Sequence, residues 1–237
     1  MRPRAPRELV VAVFVALAVA GCALTSKSDP LMPRYYNPER SGEAIRPATR
    51  QASSTPAEEL RLGRVEGAAY LEERLVFRGS TTELGYYAER RWTEAPEGYL
   101  KRRLSRVLFQ ERGLRHVVSG SAPTLDAELT AFEEVRGTRR VARVQIAVEL
   151  RDQRLMLWEE TVTVDQPIPD DRKGDPADAV VGALGEALRV AVDRIADRVG
   201  SELTKASAAA AAAGSAEAPA PAPRADAPMP GDPRAKP

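Results

Sequence analysis

The chain has 237 residues, of which 29% are charged and 43% hydrophobic, a composition typical of a globular domain with polar extensions. Its formal net charge is +1, and this becomes −1 when residues 1–21 are removed with their three arginines and one glutamate. The near-neutral balance argues against a nucleic-acid-binding protein. Between the two polar ends lie about 145 residues, which is the size of one ordinary domain.

The first predicted element is a signal peptide over residues 1–21. A basic start with three arginines is followed by an uncharged run over residues 9–20, and Ala20 and Gly21 then precede Cys22, the only cysteine. The run is shorter than the roughly 20 residues that a membrane span needs, but it suits the hydrophobic region of a signal peptide. The alternatives are an ordinary secretory signal with an incidental cysteine, and a short buried helix.

The stretch Val19-Ala20-Gly21-Cys22 resembles the lipobox of bacterial lipoproteins. The resemblance implies that the Cys22 thiol carries a diacylglycerol thioether, that the peptide is cut before it, and that the new amine is N-acylated. Each buried methylene of a palmitate-like chain contributes about 0.8 kcal/mol, so two or three chains give a stable anchor where one does not. Because the mature chain has no second cysteine, no intramolecular disulfide can form in the extracytoplasmic space.

The residues after Cys22 bear on which membrane holds the anchor. Ala23 and Leu24 differ from the aspartate that commonly retains lipoproteins in the inner membrane. The expected location is therefore the outer membrane, with the domain facing the periplasm.

A proline-rich tether is predicted over residues 22–59, extended and mostly solvated. Its one interruption is the pair Tyr35-Tyr36, which is open to three interpretations. The tyrosines form a short strand added to the domain edge, they rest in the membrane headgroup region, or they are exposed linker residues.

The folded domain is predicted over residues 60–203 and begins with strands. Apolar residues follow a strand pattern from Leu60, and a hairpin is expected from Arg74 to Trp92 around the turn Arg78-Gly79-Ser80-Thr81. Trp92 is expected in the core.

A first helix is predicted over residues 93–114. Thr93 is expected to cap it, Pro96 to lie in its first turn and Gly113 to end it. Its exposed face is expected to carry four basic residues: Lys101, Arg102, Arg103 and Arg106. This face is either simply solvated or in contact with anionic lipid headgroups.

Three further strands and a second helix complete the domain. Strict alternation of apolar and polar residues runs over about 125–131, 143–151 and 156–165, as in an antiparallel sheet with one wet face. Asp175-Pro176 opens the second helix, and Gly200 is expected to end it.

The predicted fold class is α+β. We expect an antiparallel sheet of about five strands with two amphipathic helices packed on one face, a two-layer sandwich. The Ala/Pro-rich residues 204–237 are expected to form a disordered tail with polyproline II character.

No residue set indicates catalysis, so the chain is expected to be a non-enzyme without cofactor or metal. His116 has Ser119 and Ser121 nearby but no Gly-x-Ser-x-Gly elbow, and one histidine with one cysteine cannot lead a zinc site. A Gly-rich phosphate loop is also missing. The candidates for a pair of carboxylates that hydrolyses a glycoside are Glu133, Glu134, Glu159 and Glu160. They lie at predicted strand ends, where carboxylates are usually present because the position is exposed to solvent.

The order of these features resembles the ABC-type transport auxiliary lipoprotein family. The resemblance covers about residues 60–203 together with the lipobox. It is carried by the tyrosine pair, Arg91-Trp92, the stretch from Leu125 to Glu133 (LDAELTAFE), the hairpin around Asp152 and the Ala-rich helix from Ala177.

The resemblance implies a non-catalytic lipoprotein that works with an MCE (mammalian cell entry) domain protein, a permease and an ATPase to move lipids across the envelope. The protein would receive the tip of the MCE assembly at the outer membrane. Ring-forming oligomers fit some relatives, so a homo-oligomer stays open. Partner contacts are expected on exposed sheet edges and the loop after Val164. The alternatives are an envelope scaffold or assembly lipoprotein without lipid transport, and a lipoprotein hydrolase.

Overall fold

The computed structural model describes residues 32–39, 57–170 and 175–216. The predicted signal peptide and Cys22 lie outside these ranges. In chain order the elements are β1 (Arg34–Tyr36), β2 (Glu59–Gly67), β3 (Arg74–Arg78), β4 (Leu84–Trp92), α1 (Pro96–Ser105), a π-helical segment (Arg106–Glu111), β5 (Arg115–His116), β6 (Thr124–Arg136), β7 (Arg140–Arg151), β8 (Met156–Pro167) and α2 (Pro176–Ala216).

The strands of the described ranges form one eight-stranded sheet, and β6 is its centre. Antiparallel β7 covers one edge of β6 along its whole length, and β8 follows β7. The other edge of β6 is shared, because β2 pairs with residues 124–129 and β3 with residues 133–135, both in parallel. β4 and then β1 extend the sheet beyond β3, and short β5 lies beyond β2.

The mixed sheet corrects two expectations, the five strands and the wholly antiparallel pairing. Four strand pairs are parallel: β1 with β4, β2 with β5, β2 with β6 and β3 with β6. Period-two alternation reports which face of a strand is buried and carries no information about the direction of a distant neighbour. The α+β class and the two helices are confirmed.

A bulge at Thr130 changes which residues of β6 face the helices. Before it, Leu129 lies opposite Ile146, and after it Phe132 lies opposite Val144. All four of these flanking side chains are buried. The register shift between Leu129 and Ala131 therefore changes which residues face the helices. After Phe132, the next residue on that face is Glu134.

The core lies between the sheet and the two helices. Fully buried Trp92 packs its ring edge-on to Tyr99, with 6.2 Å between ring centroids, and against Phe132 at 5.2 Å. Such aromatic pairs contribute about 0.5–1.5 kcal/mol each beyond their buried area. The predicted core position of Trp92 is confirmed, as is the 74–92 hairpin. The second helix is amphipathic as expected, and its apolar stripe is buried: Val181, Leu184, Leu188, Val192, Ile195 and Val199.

The first helix differs from its prediction at its start, its middle and one exposed position. It begins at Pro96 with Ala95 as N-cap, whereas the Thr93 hydroxyl bonds the Tyr99 hydroxyl at 2.8 Å. It passes into the π-helical segment before Gly113, whose φ is +72°. Arg103, expected on the exposed face, is buried, because it lies three residues after Leu100 on the same side of the helix.

The second helix begins as predicted and ends later. The carboxylate of Asp175 accepts the backbone N–H of Ala177 at 2.9 Å, which is an N-cap. The expected stop at Gly200 is wrong, because a glycine inside a helix costs only about 1 kcal/mol relative to alanine and Leu203 beyond it is buried. The expected disordered tail is therefore also wrong for residues 204–216, where alanines favour the helix. Residues 217–237 lie outside the described ranges.

Candidate partner-binding site

His116 and the candidate glutamates do not come together as a catalytic set. The His116 ring is exposed on β5 and stacks on Phe109 with 4.2 Å between centroids. Glu159 and Glu160 are exposed within β8. Across residues 32–39, 57–170 and 175–216, no three His, Cys, Asp or Glu residues are grouped to hold a metal ion.

Glu134 is buried, which corrects the expectation of a solvated strand end. Its carboxylate accepts hydrogen bonds from the Tyr87 hydroxyl at 2.6 Å, from Arg136 Nε at 2.8 Å and from Arg140 Nε at 2.6 Å. Burial acts to raise the pKa of Glu134, but these donors outweigh it and hold the pKa below its ordinary value.

Glu133 is buried as well, with its carboxylate held by Arg78 through Nε at 2.5 Å and Nη2 at 3.2 Å. Neighbouring strand residues point to opposite faces, and Glu133 lies opposite Arg143 whereas Glu134 lies opposite Ala142. The two carboxylates therefore face away from each other, and they cannot flank one scissile bond.

The exposed long edge of the sheet is β8. Among the described residues it pairs with β7 alone, so the other side of this twelve-residue strand has unpaired backbone groups. Lysine, the side chain that most often protects such edges, does not occur in its sequence, and its one proline is the last residue. The loop expected after Val164 begins later than predicted, because β8 continues to Pro167 and residues 168–170 follow it without regular structure.

A groove of about 470 Å³ runs between this edge and α2. Its strand side includes two largely buried apolar side chains, Trp158 and Val162, and the Trp158 Nε1–H donates to Glu160 at 3.1 Å. Its helix side carries Arg194, which is exposed, and Arg198, which pairs with Glu202 at 3.2 Å. The groove thus combines unpaired strand backbone, an apolar floor and a cationic rim, which suits an extended segment with acidic side chains.

The opposite edge of the sheet is occupied by β1, which pairs in parallel with residues 90–92 of β4. This confirms the edge-strand interpretation of Tyr35-Tyr36. The two rings differ in environment, because Tyr36 is buried whereas Tyr35 is 62% exposed. Sequence reasoning named this strand but could not name the carboxylate that holds it.

That carboxylate is Asp175, at the start of α2. It accepts the Tyr36 hydroxyl at 2.9 Å and Arg90 Nη2 at 2.9 Å, and it also pairs with Arg34. The Ala177 N–H is the largest influence that lowers the pKa of Asp175 to about 2, against the effect of burial and with help from Arg90 and Tyr36. An ionised Asp175 therefore joins β1, β4 and α2.

No helix in the described ranges combines the length and the hydropathy needed to cross a membrane.

Two solved structures share this fold. A crystal structure of the Xanthomonas campestris protein XCC0632, of the family DUF330, superposes with a TM-score of 0.57 at 17% identity, covering 69% of this chain and 95% of that one. A second crystal structure, of an uncharacterized protein, gives a TM-score of 0.54 at 15% identity over 71% and 99% of the two chains. These likenesses show the fold.

No curated protein sequence matches the chain. Residues 43–196, more than half of the chain, match the family model described as the ABC-type transport auxiliary lipoprotein component. The expected resemblance is confirmed, and the chain belongs to the family of ABC-type transport auxiliary lipoproteins.

Proposed function

We propose that this protein is the outer-membrane lipoprotein of an MCE-type ABC transport system that moves lipids across the cell envelope. In this proposal residues 1–21 are removed, Cys22 carries the acyl anchor, and the domain faces the periplasm. The protein catalyses no reaction and instead docks the MCE assembly, while ATP is hydrolysed by a different subunit. Family membership supports the transport role.

The observation that carries the docking role is the free edge of β8. An extended segment of the MCE protein would pair with the unpaired backbone groups of β8, which is a common mode of peptide recognition. Its apolar side chains would contact Trp158 and Val162, and its acidic side chains would pair with Arg194. Main-chain hydrogen bonds then provide affinity, and the groove provides specificity.

The carboxylate geometry supports a non-catalytic role. Glu133 and Glu134 point to opposite faces of the sheet and are held by arginines, an arrangement typical of structural ion pairs. The Glu160 carboxylate accepts the Trp158 indole N–H and lies beside the groove.

The test is a detergent-solubilised pull-down of the full-length lipidated protein from native membranes, followed by mass spectrometry. The control is an equally tagged, unrelated outer-membrane lipoprotein. We expect the MCE protein, the permease and the ATPase to be enriched over this control. Recovery of cell-wall or assembly proteins without any transporter component would overturn the proposal in favour of an envelope scaffold.

The docking surface has its own matched pair of variants. Arg194→Glu reverses a charge on the rim of the groove, and Arg64→Glu reverses the charge of a side chain that is 75% exposed on β2, outside the groove. We expect Arg194→Glu to reduce recovery of the MCE protein several-fold and Arg64→Glu to leave it unchanged. Equal recovery with both variants would show that the β8 groove is not the docking surface.

A further inference from the structure

Residues 34–39, which we call the clasp, are fastened to the domain although they belong to the predicted tether. The first half of the clasp is β1, and it continues the sheet beside β4. The backbone N–H of Thr93 donates to the Tyr36 carbonyl at 3.0 Å, and the buried Tyr36 ring lies in the core cluster. Asp175 then holds Arg34 and the Tyr36 hydroxyl from the start of α2.

The second half of the clasp lies against both helices. A Cβ added to Gly185 of α2 would lie 2.2 Å from the carbonyl oxygen of Pro38, so the glycine is what lets the clasp approach the helix. Pro38 is buried, and Glu39 pairs with Arg102 of α1 at 3.3 Å. The clasp therefore contacts the sheet, α1 and α2.

This attachment limits how far the domain can lie from a lipid anchor. Twelve residue steps lead from Cys22 to Arg34, where the clasp begins, and they span at most about 43 Å when fully extended. Without the clasp the domain would begin at Ala57, and the 35 residue steps from Cys22 could reach about 126 Å. The clasp thus reduces the maximum reach to about one third.

The outer side of the clasp, together with Met32 just before it, has the composition of a membrane-contacting edge. Met32 is 76% exposed, Tyr35 is 62% exposed, and the Arg34 side chain is 61% exposed. Tyrosine rings favour the headgroup region, and an arginine can place its stem along apolar surface with its charge in water. Five strand spacings separate β1 from the β8 edge, a distance of about 24 Å along the sheet.

We propose that the clasp holds the anchored domain against the membrane by its β1 edge, with Met32 and Tyr35 in the headgroup region. This rests on the acyl anchor at Cys22 from the proposed function. The ligand of this edge is the lipid surface itself. We favour the lipid surface over a protein partner because the short chain between anchor and clasp keeps this edge close to the membrane. The opposite edge, β8, then points away from the membrane and stays available for docking.

Tryptophan fluorescence tests the orientation, because both native tryptophans are largely buried. The lipidated Tyr35→Trp variant is placed in vesicles of phosphatidylglycerol and phosphatidylcholine whose acyl chains are brominated near the headgroup. The matched control is Leu155→Trp, at a side chain that is 66% exposed beside the β8 edge. We expect bromine to remove most of the fluorescence added at position 35 and none of that added at position 155.

A second pair of variants tests the clasp itself. Gly185→Ala forces the Pro38 carbonyl away, whereas Gly182→Ala, in the same helix, meets no atom within 4 Å. A dye on Thr81→Cys, the only free thiol once Cys22 is lipidated, reports energy transfer to a labelled lipid. We expect Gly185→Ala to lower the transfer several-fold and Gly182→Ala to leave it unchanged.

The outcomes separate the two proposals. If the lipidated protein does not float with vesicles, the anchor at Cys22 is wrong and the clasp orientation falls with it. If it floats but bromine quenches positions 35 and 155 equally or quenches neither, the clasp orientation alone is overturned. Equal energy transfer in the two glycine variants also overturns it.

Discussion

The Tyr70 hydroxyl donates a hydrogen bond to the carbonyl oxygen of Thr130 at 2.8 Å, where β2 has ended and β3 has not yet begun. At this gap the edge of β6 lacks a strand partner, and Thr130 is also the bulge residue. The Tyr70 side chain thus replaces a missing backbone donor. Burial, with the Glu133 charge as the next cause, raises the pKa of Tyr70 to about 12, so the hydroxyl stays protonated.

Tyr70→Phe should therefore destabilise the domain. The substitution leaves the part-buried Thr130 carbonyl without its donor, and the loss of such a hydrogen bond costs about 0.5–1.5 kcal/mol. Urea unfolding of the two proteins measures the difference. Tyr35→Phe is the control, because that ring is 62% exposed and its change should cost less than about 0.5 kcal/mol. Equal losses in both variants would contradict this role for Tyr70.

Glu134→Gln should destabilise the fold more strongly than an exposed change of the same kind. The substitution removes the buried negative charge that pairs with Arg136 and Arg140. Breaking a buried pair costs about 3–5 kcal/mol, and we expect the lower end because both arginines are partly exposed. Glu159→Gln, on the exposed face of β8, is the control and should unfold like the wild type. A loss below about 1 kcal/mol would refute the argument.

Asp175→Asn should change how stability depends on pH. Asparagine keeps the N-cap, whereas the charge that holds Arg34 and Arg90 is lost. Because the pKa of Asp175 is lowered to about 2, its charge stabilises the folded state above about pH 4, and this contribution is lost as the pH falls towards 2. Because asparagine still accepts the Ala177 N–H, which is the largest cause of the lowered pKa, only part of this stabilisation is lost, and we expect the variant to be about 1 kcal/mol less stable at neutral pH.

The same difference should shrink between about pH 4 and pH 2, where the wild-type carboxylate becomes protonated. Unfolding curves at a series of pH values measure it. A difference that is constant with pH would mean that the Asp175 charge does not hold the clasp.

Cys22→Ser should release the protein from the membrane without changing its fold. The serine hydroxyl cannot take the diacylglycerol thioether, and the domain has no described contact that depends on Cys22. Fractionation should find the variant in the soluble fraction, with a circular dichroism spectrum like that of the lipid-free domain. A variant that stays in the membrane after signal cleavage would contradict the anchor.

Local patterns in the sequence were enough to predict the elements that are settled by neighbouring residues. The hairpin around Gly79, the turn at Asp152 and the cap at Asp175 each depend on a few consecutive residues. The apolar stripe of α2 follows from helical spacing alone. The edge strand at Tyr35-Tyr36 was one of three interpretations, since its partner in β4 is distant in sequence.

Features that depend on distant partners were missed. The parallel pairing of β2 and β3 with β6, and the burial of Glu134, both arise from residues far apart in sequence or from the bulge at Thr130. The end of α2 was missed because the prediction took Gly200 as a helix stop. The helix continues past it because Leu203 is buried by tertiary packing, which the local sequence does not show. The sequence did contain a signal that β8 lies at an edge of the sheet. It is the last strand of a meander, and the element that follows it is a helix.

The shared edge of β6 also sets an order for folding. The meander of β6, β7 and β8 closes through two short turns, whereas Arg61 reaches its partner Thr124 only after a loop of more than 60 residues has closed. We expect pulse-labelled hydrogen exchange to find β7 protected before β2. Until β2 and β3 arrive, the long edge of β6 is open to other chains, so early aggregation should begin there.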